Sequence, residues 1–257
     1  MYKKPNFFFT ISKASTTDKL KNFSKYVRRQ DIARFMVYHE LFKKQIGIKG
    51  SVVECGVHQG GAIMIWAKIS SILEPYNYHR KIIGFDTFKG FPKVSKIDKN
   101  NKLANNFKFD ICNSPGSKPT KRNNKIVKKG MFSEKFNILD DIKLSIKDYD
   151  KNRFINHISK IELIKGDATK TIPQFLRKNK HLLISLLFLD FDIYKPTFIA
   201  LKYFLPRMSK GAIIVFDELN NKQWPGETIA LLKKFNINKH KINNFQFEPN
   251  ISYIILK

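Results

Sequence analysis

The sequence predicts an α/β domain: a mostly parallel seven-stranded sheet with helices on both faces, preceded by N-terminal helices and interrupted by a lid insert. Three observations predict it. From residue 50 onward, short apolar runs alternate with segments whose apolar residues recur at helical spacing, the pattern of strand–helix–strand units. The apolar runs are near-continuous rather than alternating, as expected of strands buried on both faces. Five successive runs end in acid, at the carboxyl ends where such sheets bind ligands.

The elements follow in order. Residues 16–46 read as one or two amphipathic helices, with Leu20, Phe23, Val27, Phe35, Tyr38, Leu41 and Phe42 at helical spacing. "SVVEC" is the first strand, "GGAIMIWAKISSIL" the helix after it, and "KIIGFD" the second strand. Residues 93–159 break the rhythm. They are rich in Lys and Asn, carry the turn signals "NSPGSKPT", and hold one convincing helix near "SEKFNILDDIKLSIKDY". So long an interruption predicts a lid or specificity insert, a poorly ordered surface loop being the alternative for residues 113–125. Regularity returns with strand "KIELIKGD" and helix "KTIPQFLRKN". Strand "LLISLLFLD" and helix "KPTFIALKYFLPRM" follow, the helix opening near a proline. Strand "GAIIVFDE" and helix "PGETIALLKKF" come next, and "KINNFQFE" with "ISYIILK" form a terminal hairpin. The division is a helical cap over 1–49 and the main domain over 50–257, with the insert at about 93–159. No internal repeat is present.

Composition narrows the class. A chain of 257 residues with 42% hydrophobic residues builds a full core and is not a disordered protein. No apolar run is long enough to span a bilayer, so no membrane insertion is expected. The patch in "MYKKPNFFFTISK" is too short for a signal peptide, and a cytoplasmic location is the default expectation. Cys55 and Cys112 make neither a disulfide framework nor a zinc site, and Cys55 reads as a buried free thiol. The net charge of +27 comes mostly from Lys scattered through every segment, alongside abundant Asn, Ile and Phe, a combination that AT-rich codon usage produces. A dedicated nucleic-acid surface would favour Arg, so no specific nucleic-acid partner is expected. A general preference for anionic substrates is the alternative.

The acids carry the chemistry. Glu54 ends the first strand, Asp86 the second, Asp167 the third, Asp190 and Asp192 the fourth, and Asp217 with Glu218 the fifth. In "VVECGVHQGGA" the strand runs into Gly56, and Gly60 and Gly61 open a helix. The G-x-G-x-x-G spacing of pyrophosphate binding is missing, which counts against NAD. In "GFDTFKGFP", Asp86 is placed to accept ribose hydroxyls. Together these features indicate a nucleoside ligand without a cradled diphosphate, and S-adenosylmethionine fits that description. Asp190 and Asp192 point to one side of their strand. With Asp217 and Glu218 on the next strand, three or four carboxylates converge, and they repel one another unless a cation is present. Oxygen-only ligands suit a hard divalent ion, Mg2+ first, then calcium or manganese. The competing reading is that the acids cap the helices that follow.

Over roughly residues 50–235, the series "VVECGVHQGGA", "IIGFDTFKGFP", "KGDATKTIP", "LFLDFDIYKPT", "GAIIVFDELNNKQWPGE" resembles the macrocin O-methyltransferase family. The resemblance implies a Rossmann-like class I methyltransferase fold. It implies methyl transfer from S-adenosylmethionine to a sugar hydroxyl, on a deoxysugar of a glycoside or on a nucleotide-activated sugar, with a divalent metal. It assigns the metal to Asp190, Asp217 and Glu218, and the base to Asp192. The donor is expected on Glu54, Gly56, Gly60, Asp86, Thr87, Asp167, Ala168 and Asp190. Its amino-acid end lies near Glu54 and Gly56, its ribose on Asp86, and its adenine beside Asp167 and Ala168. The chain departs from the family at Glu218, where Asp is usual, at Lys89, where an acid is common, and at His58, where Trp is frequent. A metal-dependent catechol or phenol O-methyltransferase is the main alternative, but it would want an apolar acceptor wall where this insert is rich in Lys and Asn. A nucleic-acid methyltransferase would often carry D-P-P-Y or N-P-P-Y where this chain has "DFDIY". A binding module without chemistry has no use for the full set of acids. The expected partner is a small sugar or nucleotide sugar, and a homo-oligomer such as a dimer is compatible with the reading.

Overall fold

The computed structural model describes residues 8–99 and 127–257. The proposed loop at 113–125 and Cys112 lie outside the described residues. The N-terminal region is more broken than its periodicity suggests: α1 (Phe8–Ile11), α2 (Thr16–Lys21), α3 (Phe23–Tyr26) and α4 (Arg29–Gln45). Ser15 caps α2 by accepting from the Asp18 N–H at 3.1 Å. The extended residue Val27 ends α3. The Asp31 carboxylate accepts from the Arg28 N–H at 3.0 Å and starts α4. Only α4 reaches the core, through Val37, Tyr38, Leu41 and Phe42. Leu20, Phe23, Val27 and Phe35, which share the helical spacing, are exposed. Their spacing fixes a face but does not supply a surface for that face to cover.

The main domain runs β1 (Ser51–Cys55), α5 (Gly61–Leu73), β2 (Ile82–Asp86), α6 (Lys96–Lys99), α7 (Ile138–Lys151), β3 (Ile161–Lys165) and α8 (Ala168–Lys178). It continues through β4 (Ile184–Leu189), α9 (Tyr194–Phe204), β5 (Met208–Phe216), α10 (Pro225–Lys234), β6 (Asn243–Phe245) and β7 (Glu248–Ile255). The seven strands lie in the order β3-β2-β1-β4-β5-β7-β6. The first five are parallel, β7 is antiparallel to β5, and β6 is antiparallel to β7. The chain moves outward from β1 to β3, then returns to place β4 on the other flank of β1. The strand order therefore reverses between β1 and β4, and a crevice opens there at the carboxyl ends.

Side-chain alternation sorts the strands onto two faces. Val52, Leu186, Phe188, Ile213 and Val215 meet α4, α5 and α7. Val53, Cys55, Leu187, Leu189, Ile214 and Phe216 meet α8, α9 and α10. Cys55 is a buried free thiol. Tyr38, Trp66 and Phe188 pack edge to face in the first layer. Arg80 ties the amino-terminal edge together. Its buried guanidinium donates to Glu74 at 2.8 Å, Gln45 at 2.7 Å, the Gly50 carbonyl at 2.7 Å and Ser185 at 2.6 Å. The second half of the insert is docked rather than loose. Ile138, Ile142 and Tyr149 of α7 are buried, and Tyr149 Oη donates to the Ala67 carbonyl at 3.0 Å. Among the described residues, no helix is long and apolar enough to cross a membrane.

Candidate active site

A cavity of about 210 Å³ opens at the reversal point. Its floor is the turn after β1. Gly56 adopts φ +99°, and a Cβ there would stand 1.9 Å from the Asp190 carbonyl oxygen. Only glycine allows so close an approach in that conformation. The Asp190 N–H donates to the Cys55 carbonyl at 2.8 Å, locking the ends of β1 and β4 together. Gly60, also left-handed, then starts α5.

Of the residues assigned to the donor, Gly56, Asp86, Thr87, Ala168 and Asp190 line the cavity, and Asp192 lines it with them. Asp86 does more than face it. Its Oδ2 accepts from the Val57 and His58 N–H groups at 2.9 Å each, and its Oδ1 accepts from the Phe88 N–H at 2.6 Å. One carboxylate thus clamps two turns and keeps about one of its roughly four lone-pair directions for a ligand. Glu54, Gly60 and Asp167 stand outside the lining. Glu54 is buried behind Gly56, and its Oε2 has no partner. Burial first, then the charge of Asp86, pushes its carboxyl well above the usual range. Asp167 caps α8, accepting from the Thr169 N–H at 2.9 Å and the Thr169 hydroxyl at 2.7 Å. The capping reading therefore describes this acid. Aromatic side chains wall the opposite side, with Phe88, Phe91 and Phe132 among them.

Backbone strain concentrates here. Among the described residues, five other than glycine have positive φ, and His58, Phe88, Phe132 and Asp192 of these line the cavity. Such conformations cost about 1–3 kcal/mol each and persist where the surroundings enforce them. At Asp192 the enforcement is visible. Gly226 at the start of α10 packs so tightly that a Cβ would lie 2.8 Å from the Asp192 carbonyl.

The acid rim beside the cavity is larger than the sequence suggests. Asp190, Asp192, Asp217 and Glu218 are joined by Glu227, fully buried in the first turn of α10. An acid in that position reads as a favourable partner of the helix dipole, which hid it. Glu227 Oε2 accepts from the Glu218 N–H at 3.1 Å, while its Oε1 has no partner. Burial first, then the charge of Asp217, raises the carboxyls of Asp190, Asp192, Glu218 and Glu227 above their ordinary range. Two of the acids are engaged elsewhere. Arg34 of α4 donates to Asp217 Oδ1 at 2.7 Å and Oδ2 at 3.3 Å, and Asn221 donates to Glu218 Oε2. Nothing in the sequence pointed to Arg34.

The set fits a hard cation in donor type and charge. Its ligands are oxygens, they repel one another, one buried oxygen is unpartnered, and a guanidinium has already been drawn onto Asp217. As placed, no three His, Cys, Asp or Glu side chains among the described residues form a ready ligand group.

A doubly wound sheet with an acid-rimmed cavity at its reversal point has the architecture of a methyltransferase. The chain belongs to the methyltransferase-domain family, whose model matches residues 53–219. It is similar to the crystal structure of CalS11, a calicheamicin methyltransferase, at 28% identity and TM-score 0.82, over 96% of this chain and 87% of that one. An apo structure of CalS11, described as a TDP-rhamnose 3'-O-methyltransferase, matches at 25% identity and TM-score 0.74, over 96% and 88% of the two chains. The O-methyltransferase NovP shares the fold at 17% identity and TM-score 0.59, over 87% of this chain and 79% of that one. No curated protein matches the chain.

Proposed function

We propose that the protein transfers a methyl group from S-adenosylmethionine to a hydroxyl of a sugar, a deoxysugar in a glycoside or on a nucleotide. The observation that carries the reading is Asp192. A carboxyl that burial holds well above the ordinary carboxylate range stands on the wall of the donor cavity, within a fold shared along 96% of the chain with a sugar O-methyltransferase. S-adenosylmethionine supplies a sulfonium-bound methyl group to the acceptor oxygen. Gly56 lets the donor approach the β1 turn, Asp86 offers an acceptor to its ribose, and its amino-acid end would lie toward Gly56, with Glu54 buried at the end of β1. Phe88, Phe91 and Phe132 exclude water from the cavity. Asp192 would take the proton from the acceptor hydroxyl as the new C–O bond forms and the S–CH3 bond breaks, the sulfur leaving as the neutral thioether of S-adenosylhomocysteine. A raised carboxyl is the stronger base once ionised. Asp190, Asp217 and Glu218 would hold a hard divalent cation such as Mg2+, which when bound polarises the acceptor hydroxyl as a Lewis acid.

The test is a screen with methyl-labelled donor against nucleotide sugars, glycosides and catechols, read by mass spectrometry. Label on a sugar is expected. Label on catechols alone would move the protein to the phenol-methylating class.

A further inference from the structure

Asp217 is the hub of the rim, because its charge bears on each of the other four acids. It is 6% exposed and is held by a residue from outside the matched stretch 53–219. Arg34 lies on α4 and sends both terminal nitrogens to it, at 2.7 and 3.3 Å. The arginine also leans on Tyr38 Oη at 3.5 Å, while a third of its side chain stays open to solvent. Its guanidinium is cationic under all ordinary conditions. Its charge reaches Asp190 and Glu218 as well as Asp217, partly opposing the upward push on those two carboxyls. These are the three residues assigned to the cation. The guanidinium therefore acts on the place a divalent ion would act on.

The two compete for that place, since Arg34 already takes one lone pair on each Asp217 oxygen. A fork that spans a carboxylate engages both of its oxygens. Two cations sharing one buried carboxylate repel each other at short range with little water between them. One arginine against five acids leaves carboxyl oxygens on the rim that Arg34 does not engage, Glu227 Oε1 among them. The partly exposed Arg34 has solvent to move into, whereas Asp217, directly after β5, is buried.

We propose that Arg34 and the divalent cation are alternative occupants of the Asp190–Asp217–Glu218 site, so that the ion enters only as the guanidinium leaves Asp217. Arg34 is then a gate that couples the N-terminal helix to loading of the site. The inference rests on the reading that these three acids hold a cation.

Mn2+ binding to the apo protein, followed by loss of the free-ion electron paramagnetic resonance signal, tests it without turnover. Arg34→Gln should bind Mn2+ at least tenfold more tightly than wild type, with Arg34→Lys in between. The gain should vanish when Asp217→Asn is added. Crystal structures of the wild type with and without Mn2+ need no variant, and the Arg34–Asp217 pair should be broken only in the loaded form. Equal or weaker binding by Arg34→Gln, or an intact pair beside bound Mn2+, overturns the gate and leaves the cation reading standing. If neither wild type nor variant binds Mn2+, both are overturned.

Discussion

Asp192 concentrates the proposed chemistry in one residue. It is held at φ +60°, a conformation an aspartate adopts at a cost of about 1–2 kcal/mol, and burial first, then neighbouring acids, oppose its ionisation. Neither feature stabilises the fold, so both point to a task. Asp192→Asn keeps the size and the hydrogen bonding but cannot accept a proton. It should lower kcat and kcat/KM together, by about 10²–10⁴-fold, the usual worth of a positioned base. Donor affinity measured by calorimetry should change only a few-fold. A normal kcat would leave the acceptor hydroxyl without this base. At this scale the sequence was partly legible. Acids at strand ends are visible because the fold class says where the ends are, and Gly56, Asp86, Thr87, Ala168, Asp190 and Asp192 do line one cavity. Arg34 was not legible, because 183 positions separate it from Asp217 and no spacing rule connects a helix outside the sheet to the end of β5. Asp86 was legible as a residue of the cavity wall, but not as the acceptor for three backbone N–H groups, which depends on how two turns meet.

Among the elements, the strands were the most legible. Burial on both faces leaves a continuous apolar run in β1 and β4, and every predicted strand forms, though β3 is partly exposed, β5 starts back at Met208, read as helix, and β7 starts at Glu248, read as part of the strand before it. The N-terminal helices were less so. Periodicity in 16–46 describes what a helix could bury, while the breaks at Asn22 and Val27 and the exposure of Phe23 and Phe35 depend on what lies opposite. The same holds for α7, whose docking through Ile138, Ile142 and Tyr149 follows from the position of α5 and not from its own sequence. The turn from β1 to α5 joins element to site, since the backbone of Gly56 touches that of Asp190. Gly56→Ala must accept a left-handed conformation and a Cβ 1.9 Å from a carbonyl oxygen. Strain and overpacking together should cost about 2–5 kcal/mol. Thermal denaturation should show a fall in Tm of about 5–15 °C, and donor binding should weaken as Asp190 is displaced. Gly61→Ala is the control, because a Cβ there meets nothing within 4 Å and Ala suits a helix. If the two variants melt alike, the β1–β4 contact does not carry the turn.

The molecule as a whole sets its acidic rim within a strongly basic chain. The net charge is +27, yet the acids that matter for the proposed chemistry crowd together at the carboxyl ends of β4 and β5 and the start of α10. Lysines spread over every segment create a long-range attraction for anions without a geometry that distinguishes one anion from another. Binding of this kind works by counterion release, so its strength falls linearly on a log–log plot against salt and ignores base sequence. Sequence readout would need side chains fixed against base edges, typically Arg forks on guanine. Fluorescence anisotropy with short DNA and RNA duplexes of unrelated sequence should therefore give affinities within a few-fold of one another at low salt. All of them should weaken together by orders of magnitude as salt approaches the physiological range. The same electrostatics should speed capture of a phosphorylated acceptor at low salt and leave a neutral glycoside almost unaffected, because screening acts on the charge of the ligand and not on the sugar. One oligonucleotide bound tightly at physiological salt while its scrambled version is not would show that the lysines form a specific surface. It would also direct the methyl group toward a nucleic acid instead of a sugar.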